Sequence, residues 1–140
     1  MKERRKNFLE DFYSEIEKDI ILDPFYFESR IDKFLISVRE IMVKDKAYRN
    51  SSLDRNFMVE RLSINKNLFA KMFKESFGMS FRVFVNGLRL RESVKLLECS
   101  DFSIEDISKK VGFGTVRTFQ RLFTAEYNMT PNDYRKKKRN

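Results

Sequence analysis

Histidine and tryptophan are absent from this 140-residue chain, cysteine occurs once and proline twice. Each absence excludes something. Without histidine there is no imidazole to act as a general base. With one cysteine besides, there is no His/Cys set to hold a metal, so neither a metal nor a cofactor is expected. The single thiol, Cys99, cannot close an intramolecular disulfide, which fits a reducing compartment. No stretch approaches the ~18 consecutive apolar residues of a membrane span. The N-terminal MKERRKNFLEDFY is basic, but no apolar run follows it, so no signal peptide is expected. No linker rich in glycine, proline or serine divides the chain. One compact domain, or a small domain with an extra helix, is expected at this length.

What is present is phenylalanine and positive charge. Fifteen Phe within a 41% hydrophobic composition supply a Phe-rich core. The net charge is +8, and it is unevenly placed. Residues 1–50 hold 11 basic and 11 acidic side chains, whereas residues 51–140 hold 18 and 10. The whole excess therefore lies in the later part. Such a field suits a polyanion, nucleic acid first and an acidic membrane second.

Hydrophobic spacing predicts helices throughout. Phe8, Leu9, Phe12, Tyr13, Ile16 and Ile20 form one stripe over 4–21, ended by Asp23-Pro24. A second helix is expected from Ser29 to Lys46, burying Ile31, Phe34, Leu35, Val38, Ile41 and Met42. Tyr48 to Ser52 reads as loop. Asp54 caps a short helix over 55–62, and Asn65 caps a longer one that Gly78 stops. Ser80 caps a helix over 81–98. Ser103 caps 104–110, Gly112 makes a turn that Phe113 plugs, and Thr115 starts a helix to about Tyr127. Thr130 caps a last helix with Pro131 in its first position. The tail from Arg135 to Asn140 is expected to fray.

Two stretches repeat each other at an offset of fifty residues. FAKMFKESFGMS (69–80) matches FQRLFTAEYNMT (119–130), with Phe119 on Phe69, Arg121 on Lys71, Phe123 on Phe73 and Tyr127 on Phe77. Burial of Phe69/Phe73 and Phe119/Phe123 fixes the opposite face of each helix. In the first copy that face shows Lys66, Asn67, Ala70, Lys71 and Lys74. In the second it shows Thr115, Val116, Arg117, Gln120 and Arg121. Arg, Lys, Asn and Gln hydrogen-bond base edges in the major groove, and Thr and Val methyls meet a thymine methyl. A connecting helix of about 18 residues spans roughly 27 Å. With the width of the units, that places two such helices near one DNA turn, ~34 Å, apart. The expected partner is double-stranded DNA.

The residues that carry this pattern resemble a known family. SIEDISKKVGFGTVRTFQRLFTAEYNMTPNDYR looks like the second helix-turn-helix of AraC/XylS-type transcription regulators. The resemblance rests on Ser103-Ile104, Ile107, Gly112-Phe113, Phe119, Arg121, Phe123, Thr130-Pro131 and Tyr134-Arg135. Leu62, Asn65, Phe69, Phe73-Lys74, Gly78 and Ser80 are similar to the first, more loosely. Arg89 and Leu96-Leu97 match the connecting helix. It covers about residues 30–138. It implies an all-α fold of two helix-turn-helix subdomains, about 54–78 and 103–127, joined by a long central helix over about 81–98.

The resemblance also implies base reading by Asn67, Ala70, Lys71, Val116, Arg117, Gln120 and Arg121. It implies transcription activation as well, with RNA polymerase as a partner. Asn128 stands where the family usually has glycine, and asparagine also tolerates the left-handed conformation. Gly114 stands where a small polar residue is common. Ala70 offers no hydrogen bond, which makes the first copy the poorer reader. The DNA-binding domain is expected over 29–140, with an amphipathic N-terminal helical extension over 1–28.

Family members normally carry a separate sensing or dimerisation domain, and none fits in 1–28. The chain is therefore expected to be a fragment, or to pair as a homodimer through residues 1–24. The first half-domain is similar to regulators of Bacteroidota, some of which tether this domain to membrane sensors. A cytoplasmic location follows, for the chain itself or as the cytosolic part of a larger regulator. Two rivals remain. A helical protein-interaction module would leave the basic face as a solvated surface. An enzyme is disfavoured, because Cys99 reads as a core or boundary cysteine with no activating neighbour, and the carboxylate pairs Glu10/Asp11 and Glu105/Asp106 are adjacent in sequence, so they diverge on a helix.

Overall fold

The computed structural model describes residues 30–140, with side chains from residue 33. The expected helix over 4–21, the Ser29 cap and the pairing segment 1–24 lie outside the described residues, as does the side chain of Ile31. Within them are seven α-helices, one 3-10 turn and no strand. The helices are α1 Arg30–Val43, α2 Arg55–Leu62, α3 Lys66–Phe77, α4 Phe81–Cys99, α5 Ile104–Val111, α6 Val116–Tyr127 and α7 Pro131–Arg139. The all-α expectation holds. The chain divides into two compact units. The first holds the described residues up to Ala47 and Leu53–Val85, and the second holds Tyr48–Ser52 and Asn86–Asn140.

In the first unit α1 buries Phe34, Val38, Ile41, Met42 and Val43. It stops at Val43 rather than continuing to Lys46, where the backbone turns to a φ of 46° that a right-handed helix cannot accommodate. Asp54 caps α2 by accepting the Phe57 N–H at 2.9 Å. Asn65 caps α3 by accepting the Leu68 N–H at 2.8 Å. Ser63 between them and Gly78 after α3 both take the left-handed conformation that ends a helix. The core is an aromatic cluster. Phe73, with no exposed surface, has the rings of Phe69, Phe77, Phe81 and Phe84 at centroid distances of 5.7, 4.2, 5.4 and 5.3 Å. Burying each Phe contributes roughly 1.5–3 kcal/mol.

The second unit repeats the plan. Ser103, Thr115 and Thr130 each accept an N–H three residues on, capping α5, α6 and α7. Gly112 ends α5 and Asn128 ends α6, both left-handed. Leu97, Ile107, Val111, Phe113, Phe119 and Phe123 form the core, with Tyr127 and Tyr134 packed against it. The Ser108 hydroxyl donates to the Thr115 carbonyl at 3.3 Å, which pins the end of α5 to the start of α6.

Three expectations are corrected here. Tyr48 to Ser52 is not open loop: Ala47–Arg49 form a 3-10 turn, and the Tyr48 side chain is fully buried. The tail does not fray, because α7 runs to Arg139. Its hold is remote in sequence. Arg135 donates to the carbonyls of Leu97, Ser100 and Phe102, and Arg139 to the Ser100 carbonyl and the Asp101 carboxylate. Cys99, expected at a core or boundary position, is exposed. Among the described residues no helix is long and apolar enough to cross a membrane, and no acidic, histidine or cysteine group gathers to hold a metal.

Candidate nucleic-acid interface

In each unit the buried phenylalanines dictate which helical face meets solvent. Phe69 and Phe73 point inward from α3, so Lys66, Asn67, Ala70, Lys71 and Lys74 are all exposed. The three lysines make no hydrogen bond or ion pair to another described residue, so their charge is available to a ligand. Asn67 is the one side chain in this set able to donate and accept at once. Ala70 leaves a flat gap in the middle of the row.

Phe119 and Phe123 do the same for α6, with rings 5.8 Å apart and Phe113 stacked on Phe119 at 5.3 Å. Arg117, Gln120 and Arg121 are exposed. Their spacing of three and four residues sets them side by side on one face. The structure adds Thr124, exposed on that same face one turn further on. Extending the three-and-four spacing by one step in the sequence finds it.

Two expected readers differ from the rest. Val116 is only half-buried in the fold, so part of its methyl surface is already covered. Thr115 is exposed, but its hydroxyl is committed to the cap, accepting the Thr118 N–H at 3.2 Å and donating to the Thr118 hydroxyl at 3.0 Å. Only its methyl group remains free to meet a base.

Sequence reasoning missed what lies behind α6. Arg89 and Glu92, one turn apart on α4, are both buried polar residues, 8% and 7% exposed. Arg89 donates to the Tyr48 carbonyl at 2.7 Å and to the Asn50 carbonyl at 2.9 Å, with its guanidinium over the Phe113 ring. Burial pulls its pKa below the usual arginine value. Glu92 accepts the Tyr48 hydroxyl and the Arg49 guanidinium, the latter at 2.8 and 2.9 Å. The hydrogen bond to Glu92 raises the Arg49 pKa. No local pattern around Tyr48 signals this, because its partners lie some forty residues away.

The helix-turn-helix domain model matches residues 58–137, more than half of the chain. The chain belongs to the AraC-type helix-turn-helix family. That family is one of DNA-binding transcription regulators. The TCP pilus virulence regulatory protein of Vibrio cholerae serotype O1 is 27% identical over 136 residues, covering 91% of this chain and 48% of that protein. The HTH-type transcriptional activator RhaS of Salmonella arizonae is 32% identical over 78 residues, covering 56% of this chain and 28% of that protein. Among solved structures, the C-terminal domain of AraT, a response regulator from Geobacillus stearothermophilus, matches with a TM-score of 0.71 at 25% identity. It covers 78% of this chain and 88% of that domain. The chain spans less than half the length of the curated relatives it matches.

Proposed function

We propose that this chain is the DNA-reading part of a transcription activator, placing α3 and α6 in adjacent major grooves. The observation that carries the reading is the exposed, uncommitted row Arg117, Gln120, Arg121 on α6, backed by buried Phe119 and Phe123. A bidentate arginine on guanine is the commonest specific contact of this kind. On α3, Lys66, Lys71 and Lys74 bring mainly charge, and Asn67 brings base-edge hydrogen bonding. Phosphate neutralisation is therefore the larger part of what α3 offers, and base discrimination the larger part of what α6 offers.

RNA polymerase as partner, pairing through residues 1–24 and a cytoplasmic location complete the proposal. Activation is supported by one relative, the transcriptional activator RhaS of Salmonella arizonae. The domains over 1–28 and 29–140 belong to the same proposal.

A gel shift at two salt concentrations tests it. With ~4–6 phosphate contacts, affinity for duplex DNA should fall about 10²–10³-fold between 50 and 200 mM salt as counterions are released. Affinity that does not change with salt, or no binding to any duplex, would instead favour a protein-interaction module with a solvated basic face.

A further inference from the structure

The geometry points to Glu92 and Arg89 as positioning residues for the DNA-reading helix α6, acting through the Tyr48–Asn50 segment. The inference rests on the reading of α6 given above and adds what holds that helix in place. The Tyr48–Ser52 segment belongs to the second unit, although the chain on both sides of it belongs to the first. Two α4 side chains hold it there. Arg89 binds its backbone at the Tyr48 and Asn50 carbonyls, and Glu92 binds its side chains at the Tyr48 hydroxyl and the Arg49 guanidinium. The segment in turn presses on the turn that delivers α6. A Cβ built on Gly112 would strike the Tyr48 carbonyl oxygen and stand 2.8 Å from the Arg49 carbonyl carbon. Next to Gly112, Phe113 lies beneath the Arg89 guanidinium and stacks on Phe119 of α6. The contacts are continuous from Glu92, through Tyr48 and Arg49, to Gly112, Phe113 and Phe119.

The chemistry makes this link stiff. Tyr48 has no exposed surface, so without Glu92 its buried hydroxyl loses this acceptor. Arg49 keeps nearly half its side chain in solvent, so its charge does not require Glu92 to be tolerated. The Glu92–Arg49 pair therefore serves to hold the segment rather than to neutralise a buried cation.

The test uses the full chain with Glu92→Gln, which removes the carboxylate and keeps the shape, and Tyr48→Phe, which removes only the hydroxyl. Two readouts are taken. The first is amide hydrogen exchange. Exchange over Gly112–Phe119 should speed up several-fold or more in either variant, while Phe69–Phe73 in α3 keeps its wild-type rates. Unchanged rates over Gly112–Phe119, or an equal rise in both helices, would overturn the inference. Should Glu92→Gln fail to fold, Tyr48→Phe decides alone.

The second is a double-mutant cycle with Arg117→Ala, read as the ratio of specific to random DNA affinity. Arg117→Ala should lower that ratio about 5–150-fold in the wild-type background, and by less than about threefold beside Glu92→Gln or Tyr48→Phe. The same factor in every background overturns the positioning role while leaving the DNA reading intact. Faster exchange over Gly112–Phe119 with no effect of Arg117→Ala in any background would instead count against Arg117 as a base reader, and leave the mechanical link standing.

Discussion

Gly112 and Gly78 end α5 and α3 in the same left-handed region, with φ of 109° and 70°, yet of the two only Gly112 is crowded. Nothing lies within 4 Å of a Cβ built on Gly78, whereas at Gly112 the backbone of Tyr48 and Arg49 fills that space. The two sites share a cost for left-handed alanine, about 1–2 kcal/mol. Gly112→Ala adds overpacking of about 1–3 kcal/mol. Denaturant melts should therefore show Gly78→Ala losing about 1–2 kcal/mol and Gly112→Ala about 2–5 kcal/mol. Equal losses would mean the Tyr48–Arg49 backbone yields without cost.

Thr115 has two separable roles, a cap made by its hydroxyl and a methyl left free for a base. Thr115→Ala should cost about 1 kcal/mol of stability, because the Thr118 N–H loses its acceptor. Thr115→Ser keeps the cap and should melt within about 0.5 kcal/mol of wild type. If the methyl meets a thymine, Thr115→Ser nonetheless loses affinity for the preferred site and not for random DNA. A serine variant indistinguishable from wild type in both assays would remove Thr115 from the set of readers.

Tyr134 donates to Glu98 at 2.6 Å, and its pKa is raised to about 12, first by burial and then by the Glu98 hydrogen bond and charge. Its unfolded value is about 10. Below pH 10 the phenol is protonated in both states, and its contribution to stability is whole. Between pH 10 and about 12 the unfolded chain releases the proton more readily, so that contribution falls as pH rises. The stability difference between wild type and Tyr134→Phe, followed by urea melts from pH 9 to 12, should shrink over this window. A difference that grows with pH would reverse the assigned sign.

Arg135 holds α7 against the end of α4 by donating to three carbonyls, of Leu97, Ser100 and Phe102. Burial, and then the charge of Arg139, lower its pKa. Arg135→Ala strips the Leu97 and Phe102 carbonyls of this donor, leaving Arg139 on that of Ser100, and should cost about 1–3 kcal/mol. Lys137→Ala, two residues on and exposed, should stay within about 0.5 kcal/mol of wild type. Thermal melts of the two variants compare them directly; matching Tm values would mean that the arginine contacts contribute nothing.

Much of this fold was legible because its signals are local. The caps at Asp54, Asn65, Ser80, Ser103, Thr115 and Thr130 and the stops at Gly78, Gly112 and Asn128 act within a few residues, and phenylalanine spacing fixes the inner face. That spacing also placed Lys66, Asn67, Lys71, Arg117, Gln120 and Arg121 outside. What was not legible depends on remote partners. Tyr48 to Ser52 has no helical period of its own; Arg89 and Glu92 order it from α4. The KKKR end of α7 reads as repelling charge, and only the carbonyls of Leu97 to Phe102 explain why it stays helical. Thr115 illustrates a different limit, since one side chain met two criteria and its oxygen serves the cap.

The central claim is that α3 and α6 read two half-sites, with α6 the more selective. Selecting bound duplexes from a random DNA pool, with wild type and Arg117→Ala in parallel, tests it most directly. The account predicts two conserved half-sites ~10–10.5 base pairs apart, one sharper than the other. It further predicts that Arg117→Ala blurs the sharper half-site and leaves its neighbour unchanged. A pool with no enriched sequence, or an Arg117→Ala selection identical to wild type, would contradict it.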